Sequence, residues 1–81
     1  MWYVYIVECS DGTLYTGITT DVNKRIVAHN KGKGAKYTST RKPVILRALF
    51  EAIDRSSASK EEYRIKQLSR EAKLKLCDIY G

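Results

Sequence analysis

The chain is 81 residues long with a formal net charge of +6, 43% apolar and 30% charged, which is room for one domain and one modest core but no large enclosed pocket. The composition lies inside the globular range and outside the disordered one. No stretch reaches the length of a membrane span, and the apolar start, Met1 to Cys9, has neither a basic flank nor a small-residue cleavage site.

Trp2 to Cys9 is aromatic and β-branched and reads as a first strand, with Tyr3, Tyr5 and Val7 on one face and Val4 and Ile6 on the other. Ser10-Asp11-Gly12 carries turn chemistry, and Leu14 to Thr19 follows as the second strand of an antiparallel hairpin. Thr20-Asp21 offers an N-cap, and Val22 to about Asn30 reads as a helix with Arg25 and His29 one turn apart. Lys31 to Pro43 reads as a basic loop, with Gly32 and Gly34 ending the helix. Val44 to Ile53 resumes strand character. Asp54 to Ser57 brings helix-start signals, Ala58 to Leu68 suits a helix with Ala58, Ile65 and Leu68 toward the core, and Ser69 caps a last short helix carrying Leu74 and Cys77. The order β-β-α-β-α-α describes an α+β domain over residues 1–81, a three-stranded antiparallel sheet flanked by helices.

The charge is segregated. Between Val22 and Phe50 stand eight basic residues and no acid, among them Lys33, Lys36 and Arg41, whereas the remainder carries seven basic residues against nine acidic. A solvated face is the bland reading; separation this complete favours a polyanion, nucleic acid before membrane. Cys9 and Cys77 have no metal-ligand spacing and read as two buried reduced thiols, which points to the cytoplasm. Taken singly, the tyrosines read as strand packing, His29 as a surface residue, and Glu62 as a helical acid paired with Lys66 at i+4. There is no Walker A motif, no Ser/His/Asp set and no zinc constellation, so the residues alone reach a basic α+β nucleic-acid binder.

Their arrangement goes further. Tyr3-Val4-Tyr5 followed by Tyr15-Thr16-Gly17 resembles the paired signatures of the GIY-YIG nuclease superfamily. Arg25-Ile26-Val27-Ala28-His29 resembles its first-helix motif, and Glu62 falls where that family places its metal-binding glutamate. Gly32-Lys33-Gly34-Ala35-Lys36-Tyr37-Thr38 and Glu62-Tyr63-Arg64-Ile65-Lys66-Gln67-Leu68 are similar to the small standalone bacterial members. The resemblance implies an endonuclease that hydrolyses phosphodiester bonds with one divalent cation, Mg²⁺ or Mn²⁺, acting on a nucleic acid, DNA before RNA, with a protein partner as a further source of specificity. It implies that Tyr5 and Tyr15 position or deprotonate the attacking water and that Arg25 pairs with the scissile phosphate. His29 would hold the phosphate or shuttle a proton, and Glu62 would hold the metal. Lys33, Lys36, Tyr37, Thr38 and Arg41 would clamp the backbone beside the cut.

Three departures stand out. The leading glycine of the first tripeptide is absent, Ile18 occupies a position where some members carry lysine, and there is no Asn after Asn30. A module that binds without cutting and a basic protein-interaction adaptor remain alternative readings. One geometric condition follows from the resemblance. A two-residue loop at Asp11-Gly12 would send Tyr5 and Tyr15 to opposite faces of the sheet, so a shared site requires a loop of odd length or a bulge.

Overall fold

In the computed structural model, which describes residues 1–81, strands β1 (Trp2–Glu8), β2 (Leu14–Thr19) and β3 (Ile45–Ala52) form one antiparallel sheet in the order β2-β1-β3. Helices α1 (Val22–Asn30), α2 (Lys36–Ser39), α3 (Arg55–Lys66) and α4 (Arg70–Tyr80) complete the α+β fold. The expected strand and helix order is present, with one addition: the basic segment between α1 and β3 contains the short helix α2 rather than loop alone. Two other bounds move. The third helix begins at Arg55 because the Asp54 carboxylate already accepts from Ser57 N at 2.7 Å, and the fourth runs eleven residues behind its Ser69 cap. A side-chain cap of this kind contributes about 1 kcal/mol.

The hairpin register is decisive for the site. Cys9 N donates to Thr13 O and Gly12 N to Cys9 O, so three residues, Ser10 to Gly12, form the loop. Gly12 stands at φ +83°, the left-handed conformation that a three-residue hairpin places at its last position and that glycine adopts at least cost. Asp11 Oδ1 accepts from both Thr13 N and Thr13 Oγ1, fixing the turn. The odd length sets Tyr5 opposite Gly17 and Val7 opposite Tyr15, so Tyr5 and Tyr15 share a face, as a common site requires.

The alternation of β1 divides the core in two. Val4 and Ile6 point to one side, where Ala48, Ala58 of α3, Ile65 of α3 and Cys77 of α4 close over them. Val4, Ile6 and Ile65 each contribute about 1.5–3 kcal/mol through burial. Tyr5, Val7 and Cys9 point to the other side and pack with Val44, Tyr15 and Ile26 of α1. Both cysteines are buried and unpaired. On this second side α1 is tied to the sheet by a polar clip. The Asn30 amide accepts from Val44 N at 2.7 Å and donates to Val44 O at 3.4 Å, taking the place of a strand partner at the entry to β3. The clip holds the end of α1, and with it His29, against the Tyr5 face.

Candidate active site

The Tyr5 face carries a continuous line of hydrogen bonds. Arg25 Nε donates to Tyr5 Oη at 3.2 Å, Tyr5 Oη lies 2.8 Å from His29 Nε2, His29 Nδ1 lies 2.7 Å from Thr38 Oγ1, and Thr38 Oγ1 donates to Ala35 O at 3.1 Å. Tyr5, His29 and Thr38 are fully buried, each 0% exposed. Arg25 is half-buried, and neither its Nη groups nor its charge has a protein partner. An arginine so placed keeps its planar fork open to an anion, since a half-buried guanidinium is ordinarily matched by a carboxylate.

Two glycines make the line possible. A Cβ on Gly17, directly across from Tyr5, would run into Tyr5 Oη and stand 2.6 Å from Tyr5 Cζ. A Cβ on Gly34 would run into His29 Nδ1 and stand 2.8 Å from His29 Cα. Bare backbone at both positions therefore lets the phenol and imidazole rings lie where they do.

Burial changes the roles expected of three residues. Burial raises the Tyr5 phenol above its ordinary value of 10.0, only partly opposed by the hydrogen bond and charge of Arg25, with the nearby Tyr15 and Glu62 adding to the rise. Tyr5 is therefore a neutral phenol closed off from solvent, its oxygen engaged by Arg25 and His29. His29, expected at the surface, is a fully buried core residue. Thr38, expected beside the nucleic-acid backbone, is fully buried, its hydroxyl enclosed with His29. Tyr15 keeps a half-exposed ring, set edge-on to His29 at 5.5 Å and stacked on Tyr37 at 5.8 Å. Arg41 lies 4.1 Å over the Tyr37 ring and pairs with Asp11 at 3.1 Å, so its charge is already shared with the hairpin turn. Lys33 and Lys36 are exposed and have no acidic partner.

Glu62 is half-buried on α3, with Lys66 Nζ at 3.5 Å, the i+4 pair its spacing suggests. Its charge acts on Tyr5, so it belongs to the same electrostatic neighbourhood. Lys66 also lies 5.9 Å from the Tyr15 ring. Lys66 is a site neighbour absent from the expected set, although its helical spacing from Glu62 is a sufficient signal for it. No three His, Cys, Asp or Glu side chains converge anywhere to cage a metal. A lone carboxylate suits a hard cation that takes most of its ligands from water and phosphate, so Glu62 fits Mg²⁺ and not a thiolate- or imidazole-seeking metal.

The buried imidazole has a consequence for stability. Desolvation first, and the Arg25 charge second, lower His29 below its ordinary 6.5. In acid the unfolded chain then binds more protons than the folded one, so stability is full above about pH 6.5 and is lost as pH falls through the lower folded value. His29 is the only histidine, and carboxylates titrate lower still. Urea midpoints should therefore fall between about pH 7 and about pH 5 in the native chain and change less in His29→Phe. A native midpoint that rises over this interval would contradict the buried neutral imidazole.

A family model described as the GIY-YIG catalytic domain matches residues 1–75. The UPF0213 protein of Halobacterium salinarum is 58% identical over 73 residues, covering 90% of this chain and 95% of that one. The UPF0213 protein of Staphylococcus haemolyticus is 54% identical over 76 residues, covering 94% and 93%. The solution NMR structure of the UPF0213 protein BH0048 from Bacillus halodurans superposes with a TM-score of 0.63 at 49% identity, covering all of this chain and 87% of that one.

Proposed function

The chain belongs to the GIY-YIG family, and on that premise we propose that it is a nuclease that hydrolyses phosphodiester bonds with the help of one Mg²⁺ ion, acting on DNA in preference to RNA. The observation that carries this reading is Arg25: half-buried, unpaired, held at Nε by Tyr5, with both Nη groups free beside an acid-poor surface.

Each residue then has work suited to its surroundings. Arg25 receives the scissile phosphate, and its two Nη donors neutralise charge gathering on the non-bridging oxygens as the phosphorus is attacked. Tyr5 and His29 hold that guanidinium in place from within the core. Tyr15, whose ring is reachable from solvent, orients the attacking water through its hydroxyl. Water's oxygen forms the new bond to phosphorus and releases a proton to solvent, while the bond to the leaving oxygen breaks and that oxygen keeps the electron pair and takes a proton from solvent. Glu62 would hold Mg²⁺, which supplies Lewis-acid stabilisation of phosphate charge when bound. Lys33 and Lys36 engage neighbouring phosphates. Two buried, unpaired thiols suit a reducing compartment, which supports the cytoplasm as the setting, and a protein partner that adds specificity remains part of the proposal.

One observation favours a module that binds without cutting: Glu62 already has Lys66 as a counter-ion. The readings part in a cleavage screen over duplex, branched and single-stranded DNA and over RNA, with Mg²⁺ or Mn²⁺. Metal-dependent cuts by the native chain that vanish with chelator support the nuclease. Salt-sensitive binding with no cleavage on any substrate leaves the binding module.

Binding has its own expected result. Phosphate contacts from the exposed lysines make affinity fall steeply with salt. Replacing Lys33 and Lys36 together by Ala should flatten the log–log slope by about one to two. Affinity that ignores ionic strength would exclude this surface as the nucleic-acid interface.

A further inference from the structure

We propose that Thr38 is a positioning residue that fixes the tautomer of His29 and, through Tyr5, the orientation of Arg25. The part of this that concerns catalysis rests on the nuclease reading; the part that concerns the tautomer does not.

The line Arg25–Tyr5–His29–Thr38–Ala35 has ends of opposite character. Arg25 Nε–H can only donate, and the Ala35 carbonyl can only accept. Between them lie three groups that can each donate and accept, at 3.2, 2.8, 2.7 and 3.1 Å along the chain. If every bond runs the same way, every proton is used. Arg25 gives to Tyr5, Tyr5 gives to His29 Nε2, His29 Nδ1–H gives to Thr38, and Thr38 gives to Ala35. If His29 instead carries its proton on Nε2, Tyr5 oxygen accepts from His29 and its hydroxyl is left facing Arg25, which can only donate. Its own hydroxyl proton then has no acceptor in a fully buried site, a cost native interiors avoid. The hydroxyl of Thr38, committed to the Ala35 carbonyl, is thus what selects Nδ1–H.

The selection matters at the far end. With Nε2 bare, the Tyr5 hydroxyl points inward and leaves its lone pairs for Arg25. With Nε2 protonated, the Tyr5 proton turns toward Arg25 and two donors face each other. The guanidinium then loses its anchor although no residue near the phosphate has changed. Gly34 belongs to the same device, since its bare backbone lies against the His29 ring and lets α2 bring Thr38 to Nδ1.

Thr38→Val keeps the shape and removes the hydroxyl, whereas Thr38→Ser keeps the hydroxyl. Long-range ¹⁵N NMR on the full chain reads the two imidazole nitrogens directly, and the Arg25 Nε–H signal reports whether its proton is held. The expected result is a protonated Nδ1 and a slowly exchanging Arg25 Nε–H in the native protein and in Thr38→Ser. In Thr38→Val, population should move toward Nε2–H and the Arg25 signal should exchange rapidly. Cleavage in that variant should fall about ten- to a hundredfold, as for other outer-layer orienting groups, with nucleic-acid affinity nearly unchanged. A native His29 protonated on Nε2, or a Thr38→Val tautomer identical to native, overturns the inference. Should Thr38→Val fail to fold, the native and Thr38→Ser tautomers still decide it. A native chain inert on every substrate would remove the nuclease reading, while the imidazole and Arg25 signals would still support or overturn the role of Thr38.

Discussion

Glu62→Gln is expected to lower metal-dependent cleavage by about a hundredfold or more, since a cation's stabilisation of transition-state charge amounts to several kcal/mol. Glutamine nearly preserves the shape of Glu62 on α3 but offers no charged oxygen. It also releases Lys66 from its 3.5 Å pair, adding positive charge beside Tyr15, so nucleic-acid binding should persist or tighten slightly. Arg25→Ala should reduce cleavage comparably. Arg25→Lys should not rescue it, because one ammonium cannot both satisfy Tyr5 Oη from within and present two parallel donors to a phosphate. The double variant should be little worse than either single one, as groups serving one transition state are not additive. If both residues had only bland roles, each substitution would shift stability by no more than about half a kcal/mol and leave the rate intact. Steady-state and single-turnover rates on a labelled substrate, with a Mg²⁺ titration, measure the outcome. Equal rates for native and Glu62→Gln would remove Glu62 from the reaction.

What the sequence made legible here was local or periodic. The period-two pattern of β1 anticipated two separate core faces, and parity alone required the odd hairpin loop that Gly12 supplies. Arg25 and His29 were placed on neighbouring turns of α1 because helical spacing needs no tertiary knowledge. Burial was not legible at Tyr5, His29 and Thr38, because it depends on which backbone lies over each ring. Tyr5 is sealed in part by Gly17 across the strand pair, and His29 by Gly34 and α2. Arg41 illustrates the same limit: its basic character was plain, but the carboxylate that engages it, Asp11, is thirty residues away at the hairpin turn. The lysines and glycines of Lys31–Gly34 break helical periodicity just before Lys36–Ser39, and four residues are too few to show one of their own, so neither α2 nor the inward turn of Thr38 is legible in the sequence.

The glycines beside the site lead to the other large effect. Gly17→Ala must move the Tyr5 ring, because the new methyl would occupy the space of Oη and stand 2.6 Å from Cζ. The ring is fully buried, so overpacking should cost about 1–3 kcal/mol. Displacing Tyr5 also frees Arg25 Nε, and a misplacement of about 1 Å in a phosphate-binding group lowers rates on the order of a hundredfold. Gly12→Ala separates the two effects. It meets no atom within 4 Å but holds a φ of +83°, so its cost of about 1–2 kcal/mol is conformational and should leave the cleavage rate unchanged. Tyr5→Leu in the Gly17→Ala background makes room for the methyl. Its stability loss should be smaller than the sum of the single losses by about 1 kcal/mol, as expected for residues in contact. Activity should stay low, because leucine offers Arg25 no oxygen. Denaturant midpoints and cleavage rates for the four variants complete the test. Gly17→Ala as stable and as active as the native chain would mean that Tyr5 does not lie across Gly17, and the line from Arg25 to Ala35 would fall with it.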